Sequence, residues 1–239
     1  MTTPLPRDTL VDTLAARLRD DILSGRYPPG SYLPPERELA TAYQVTRTSV
    51  KHALVRLGQA GLVETRHGVG TRVRDYERLG GPELLPMLVG TAGPEWAAEI
   101  FQVRREVGAQ VAATAAAHAG PEHRDRLRAL AGELRAAPDA DTAQLAECEI
   151  HRVIAAATGN RVYGFLVNAL LNAYLAVRER FAGAFTDPPG AADRIAPLVA
   201  ALCAGDAVRA REAADAYYAE TESLMLGRAD EQQPPHDVQ

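Results

Sequence analysis

Apolar residues recur along most of this chain every three or four positions. Near the amino terminus Leu10, Leu14, Leu18 and Ile22 form an i, i+4 stripe, which predicts a helix over roughly Leu10 to Ser24 with Gly25 as its stop. The following YPPGSYLPPE cannot continue a helix and predicts an extended connector. A second helix is expected from about Pro35 to Tyr43, with Leu39 and Ala40 inward. In a third, capped by Thr46, the buried stripe is Val50, Ala53, Leu54 and Leu57. That stripe leaves Arg47, Thr48 and Lys51 outward. The period then switches to two: LVETR and TRVRD alternate around HGVG, a hairpin pattern. Two short helices, a tight turn and a hairpin make a winged helix-turn-helix.

Residues 75–82 (DYERLGGP) read as a linker, because paired glycines resist regular structure. Beyond them the period is helical nearly everywhere, over 94–118, 121–136, 141–158, 160–185, 192–204 and 206–226. Proline and glycine punctuate these segments, as at Gly159-Asn160 and Asp187-Pro188-Pro189-Gly190. No strand pattern appears there. The fold class is therefore mainly α: a winged helix-turn-helix over 1–75, a linker over 76–82, an all-α bundle over 83–228 and a disordered tail over 229–239.

The 239 residues carry a net charge of -5, which alone argues against nucleic acid. The distribution points the other way: residues 1–78 sum to +3 and the remainder to -8. Two cysteines, Cys148 and Cys203, stand in no metal or redox spacing. With no charged-then-apolar leader and no apolar run of spanning length, the expected compartment is the cytoplasm, with no membrane partner.

A helix that only had to pack would not need hydroxyls and cations at its start. Arg47 and Arg37 can grip phosphate or bridge two acceptors on guanine. Thr46, Thr48 and Ser49 present hydroxyls and amides at a positive dipole end, suited to phosphate. The hairpin tip, His67-Gly68, is narrow enough for a minor groove. The residue types point to double-stranded DNA as a partner.

The same residues resemble the winged-helix domain of the GntR family of bacterial transcription regulators. The family pattern L-P-x-E-R-x-L-A, then V-[ST]-R-x-x-V-[RK]-x-A-L-x-x-L, then G-L-[VI] and a glycine-containing wing is matched here by LPPERELA, VTRTSVKHALVRL and GLVETRHGVGTRV. The resemblance implies DNA-contact roles for Arg37, Thr46, Arg47, Thr48, Ser49, Lys51, His67 and Gly68. The usual arginine is Lys51 here, which keeps the charge and loses the fork. An all-helical second domain is similar to the FadR branch, whose bundle binds an effector and helps form a homodimer on a palindromic operator.

Many members of that branch hold a divalent metal through one Asp and three His. Laid onto this chain, those positions fall at Glu147, His151, near Ile195 and near Tyr217, leaving two strong ligands of four. No metal is therefore required, a divalent ion remains a lesser alternative, and a Glu–His hydrogen-bonded pair competes with it. The stretch TGNRVYGFLVNALLNAYLAVRERFAG resembles the segment of the branch's fatty-acyl-CoA-responsive members that forms their acyl pocket. That likeness rests on Gly159, Asn160, Tyr163, Asn168 and Tyr174. Tyrosines could line a pocket or simply fill a core. IFQVRREV resembles the first helix of the effector domain, where an arginine points inward. Arg104 is the leading choice and Arg105 its competitor; a buried arginine needs an anion, which a carboxylate or phosphate effector would supply.

The expected effector residues are thus Arg104, Glu147, His151, Tyr163, Asn168, Tyr174 and Tyr217. The function expected is an effector-controlled regulator, with acyl-CoA or another acyl carboxylate ahead of a metal-dependent small organic acid. An enzyme built on Glu147 and His151 is the contrasting class, and no nucleophile elbow, P-loop or dinucleotide loop supports it. A DNA-bending protein would leave the helical domain without a role.

Overall fold

A computed structural model describes residues 8–91 and 94–232, which divide into two compact units at residues 92/93. The first holds α1 (Asp8–Leu23), α2 (Glu36–Ala42), α3 (Arg47–Gln59), strands β1 (Val63–Arg66) and β2 (Gly70–Val73), α4 (Tyr76–Leu79) and α5 (Leu85–Thr91). Both α1 and α2 pack on α3. Leu14, Leu18 and Ile22 are buried, whereas Leu10 is 53% exposed, so the first member of that stripe lies outside the core. The predicted inner face of α3 is buried at all four positions, Val50, Ala53, Leu54 and Leu57.

Between α2 and α3 the chain turns sharply. The Val45 amide donates to the Ala40 carbonyl (2.9 Å) and that of Gln44 to Thr41 (3.2 Å), closing the helix end. Gln44 takes φ +54°, a left-handed conformation that glycine usually supplies.

β1 and β2 pair antiparallel, with Val63 opposite Val73 and Arg66 opposite Gly70. The connector is more than an extended link. Its Leu33 amide donates to Thr71 (2.8 Å), and the Val73 amide donates to Ser31 (2.8 Å). The connector therefore borders the second edge of β2 and fixes the wing's base. Part of the expected linker is helical: α4 is capped by Asp75, whose carboxylate accepts from the Arg78 amide (3.2 Å). The segment through α5 groups with the first unit rather than with the bundle.

The second unit contains α6 (Pro94–His118), α7 (Pro121–Arg135), α8 (Ala140–Ala157), α9 (Arg161–Leu175), a 3-10 stretch (Arg178–Phe185), α10 (Pro188–Ala204) and α11 (Ala207–Gln232). Its most extensive pair is α6 with α11, while α7 packs on α8 and α10. Gly108 marks the α6–α11 contact: a Cβ there would lie 2.1 Å from the Tyr218 ring.

Three boundaries differ from those the pattern predicts. The helix expected over 160–185 breaks after Leu175. There the Arg178 carbonyl is taken by the Gln144 side chain (2.9 Å) and its guanidinium by Asp141 (2.6 Å), contacts no local pattern announces. α10 begins at Pro188, because prolines at the first two helical positions cost no hydrogen bond. α11 runs to Gln232, past the start of the expected tail, whose remainder lies outside the described residues.

Candidate nucleic-acid interface and effector site

The α3 amino terminus is built by its own sequence. The Thr46 Oγ1 accepts from the Ser49 amide (3.1 Å) and lies 2.9 Å from the Ser49 hydroxyl. Those two hydroxyls are therefore engaged with each other, not free as the sequence alone suggests. The first-turn amides of Arg47 and Thr48 keep no intrahelical acceptor and point along the positive dipole end. Arg37, Thr48 and Lys51 are exposed. Arg47 is 69% exposed at its side chain and touches Glu36 of α2 at 3.3 Å, a solvated pair that a phosphate or guanine can displace at little cost. At the wing tip His67 and Gly68 are exposed, and Gly68 takes φ +76° with open space where a Cβ would stand. All eight predicted contact residues belong to one unit, and none is buried.

The bundle holds a different kind of cluster. Arg104 of α6 turns inward, while its neighbour Arg105 makes a two-pronged surface bridge to Asp215 (2.6 and 2.7 Å). One Arg104 nitrogen donates to Glu147 (3.1 Å) and another to Thr221 (3.2 Å), and the guanidinium lies over the Tyr218 ring at 4.7 Å. Glu147 is buried. The same oxygen, Oε1, also receives His151 Nε2 (2.7 Å) and the Tyr217 hydroxyl (2.7 Å). With Nε2 donating to the carboxylate, His151 Nδ1 is left to the Tyr218 hydroxyl at 3.2 Å. Burial alone would push the Glu147 carboxyl up; His151, Arg104 and Tyr217 reverse this and hold it at about 2. Burial raises the hydroxyls of Tyr217 and Tyr218, so both remain protonated donors.

Beside this cluster is a cavity of about 40 Å3. Its walls are Val107, Gly108, Val111, Ile154, Val167, Leu170 and Leu171, and its polar rim is Arg104, Glu147, His151, Tyr174 and Tyr218. Four predicted effector residues meet here: Arg104, Glu147, His151 and Tyr174. Tyr217 joins through Glu147. Two do not: Asn168 is exposed on another face of α9, and Tyr163, half-buried one turn before Val167 on the same face, is outside the cavity lining. Asn160 is a helix cap, accepting from the Val162 amide (2.9 Å).

The anion expected to satisfy Arg104 is Glu147 of this chain. Tyr218, Thr221 and Gln144, which donates to the Tyr174 hydroxyl (2.6 Å), were not legible as site residues. A second tyrosine adjoining Tyr217 was the available signal for Tyr218.

A metal would need Glu147 and His151 to turn from each other, and the two further positions hold Ile195, which is buried, and Tyr217. Among the described residues no three His, Cys, Asp or Glu side chains converge as a metal set.

Residues 10–73 match the family described as bacterial regulatory proteins, gntR family, and residues 99–220 match the FCD domain. An uncharacterized HTH-type transcriptional regulator of Mycobacterium tuberculosis is 35% identical over 214 residues, covering 90% of this chain and 88% of the other. The chain belongs to the gntR family. A fatty acid metabolism regulator protein of Edwardsiella ictaluri is 32% identical over 175 residues, covering 72% of this chain and 70% of its own length. The solved structure of Lar, described as controlling expression of the Listeria monocytogenes agr system, superposes with a TM-score of 0.63 at 15% identity. It covers 96% of this chain and 100% of that one, and shows a shared fold. This gntR-family chain is a DNA-binding transcription regulator with an FCD effector domain, and it is not an enzyme. No described helix is long and apolar enough to cross a membrane.

Proposed function

We propose that the FCD bundle senses an acyl metabolite and that two copies of the chain read a palindromic operator in the cytoplasm. The observation that carries the ligand reading is the cavity itself: an apolar wall from α6, α8 and α9 beside the polar side chains of Arg104, His151 and Tyr218. A relative named for fatty acid metabolism favours an acyl chain, as acyl-CoA or another acyl compound. At about 40 Å3 the cavity has room for a water or two, so an acyl chain enters only as the α6, α9 and α11 side chains part. That coupling of occupancy to packing is what a ligand-controlled regulator needs. In this reading no metal takes part.

The homodimer reading rests on α9, which carries one charged residue, Arg161, in fifteen. Its outward Val162, Phe165 and Leu166 include the 75% exposed Phe165. Two copies of an acidic bundle repel each other, and this neutral apolar face is where they can meet.

Calorimetry with long-chain acyl-CoA, citrate and zinc separates the ligand classes. Heat from acyl-CoA alone supports the acyl reading; heat only from citrate with zinc replaces it with a metal-dependent acid sensor. Sedimentation of Phe165→Glu tests the dimer: a shift to monomer is expected, and an unchanged species removes α9 from the interface.

A further inference from the structure

The cluster beside the cavity has a property that a simple acyl pocket does not require. Its one fixed cation, Arg104, is already matched by a carboxylate, and the match is complete in geometry. Three donors from three helices, Arg104 on α6, His151 on α8 and Tyr217 on α11, converge on Glu147 Oε1 at 2.7–3.1 Å. Glu147 lies on the cavity rim with its side chain 2% exposed, so water does not screen its charge. An anionic head entering the rim would meet that buried carboxylate at short range, and like charges in such a site repel strongly. An uncharged carbonyl meets no such penalty. It can accept from further N–H groups of Arg104, whose guanidinium has five donors and gives one to Glu147 and one to Thr221, while the Tyr218 proton is already given to His151 Nδ1.

We propose that Glu147 is a built-in counter-anion that sets the head-group class of the effector: the cavity admits an apolar chain ending in an uncharged carbonyl, as an ester, thioester or amide, and turns away the free carboxylate. This rests on the reading of the bundle as an acyl site and adds the residue that selects within it. Glu147 acts through Arg104, occupying the seat an acid would take. Removing its charge while keeping its shape, as in Glu147→Gln, leaves Tyr217 an acceptor and Arg104 an uncompensated cation. The preference then inverts.

The test is calorimetry on the full chain with decanoate and methyl decanoate, the same acyl chain with and without a charge. For the wild type the ester binds at least about ten-fold tighter than the acid, and for Glu147→Gln the acid binds tighter than the ester. Equal binding of both probes to the wild type overturns the proposal. So does an unchanged preference in a folded Glu147→Gln. The wild-type comparison needs no variant, so the proposal stands exposed even if Glu147→Gln fails to fold. Arg104→Met/Glu147→Gln adds a control: lacking both charges, it gains no acid, and an acid preference in it overturns the proposal. Absence of binding by either probe to any of these proteins overturns the acyl-site reading beneath the proposal instead.

Discussion

The two units use charge in opposite ways. In the first, Arg37, Arg47 and Lys51 are held out to solvent, and the ion pair of Arg47 with Glu36 is solvated and displaceable. In the second, Arg104 is turned inward and neutralised by a carboxylate from the same chain. An outward cation costs nothing to maintain and remains available to a polyanion. An inward one must be satisfied at all times, so its partner becomes part of the fold. The difference teaches that a buried charge inside a binding domain need not mark the ligand's own counter-charge.

The largest effect belongs to the inward cluster. Glu147→Ala leaves Arg104 buried without its anion and should destabilise the bundle by about 3–5 kcal/mol in urea unfolding. A loss below about 1 kcal/mol would show that the pair is not needed by the fold. Acid probes the same bond without mutation. The folded Glu147 carboxyl, at about 2, lies below its unfolded value, so its stabilisation is complete above the unfolded carboxylate range and drains away as pH falls toward 2. The bundle should weaken by a few kcal/mol over that window, since each pH unit by which the folded carboxyl titrates below the unfolded one is worth about 1.4 kcal/mol. In Glu147→Gln that portion of the acid sensitivity should vanish.

The outward cluster should behave in reverse. Arg47→Ala is expected to weaken operator binding by about 1–3 kcal/mol while leaving thermal unfolding unchanged, as gel shift and calorimetry would report together. Equal losses in both would erase the contrast between the units. The smallest effect concerns scaffolding. Gln44→Gly relieves a left-handed residue in the helix–helix turn and should raise the stability of the first unit by at most about 1 kcal/mol.

The same contrast governs what the sequence disclosed. A surface site is written locally: Thr46 caps, Val50, Ala53, Leu54 and Leu57 face in, and what remains of α3 faces out. The hairpin, too, follows from alternation around His67-Gly68, and the helices of the bundle follow from their period. The buried cluster depends on which helix faces which, and that is not local. The i, i+4 spacing pairs Glu147 with His151, but nothing in the spacing joins them to Tyr218, Thr221 or an arginine forty-three positions away. Resemblance supplied Tyr163 and Asn168; helix rotation turns Asn168 out to solvent, and Tyr163, one turn before Val167 on the same face, falls outside the cavity lining. Gln44 was missed for a related reason: its conformation is imposed by the α2–α3 packing rather than by a glycine.

The central claim is that the outward cations of a protein with net charge -5 bind DNA. The salt dependence of binding to a labelled palindrome from the promoter of its own gene tests it most directly. Three exposed cations in each of two copies predict tight binding at low salt and a log–log slope of roughly -3 to -5. No binding at low salt, or a slope near zero, would contradict it.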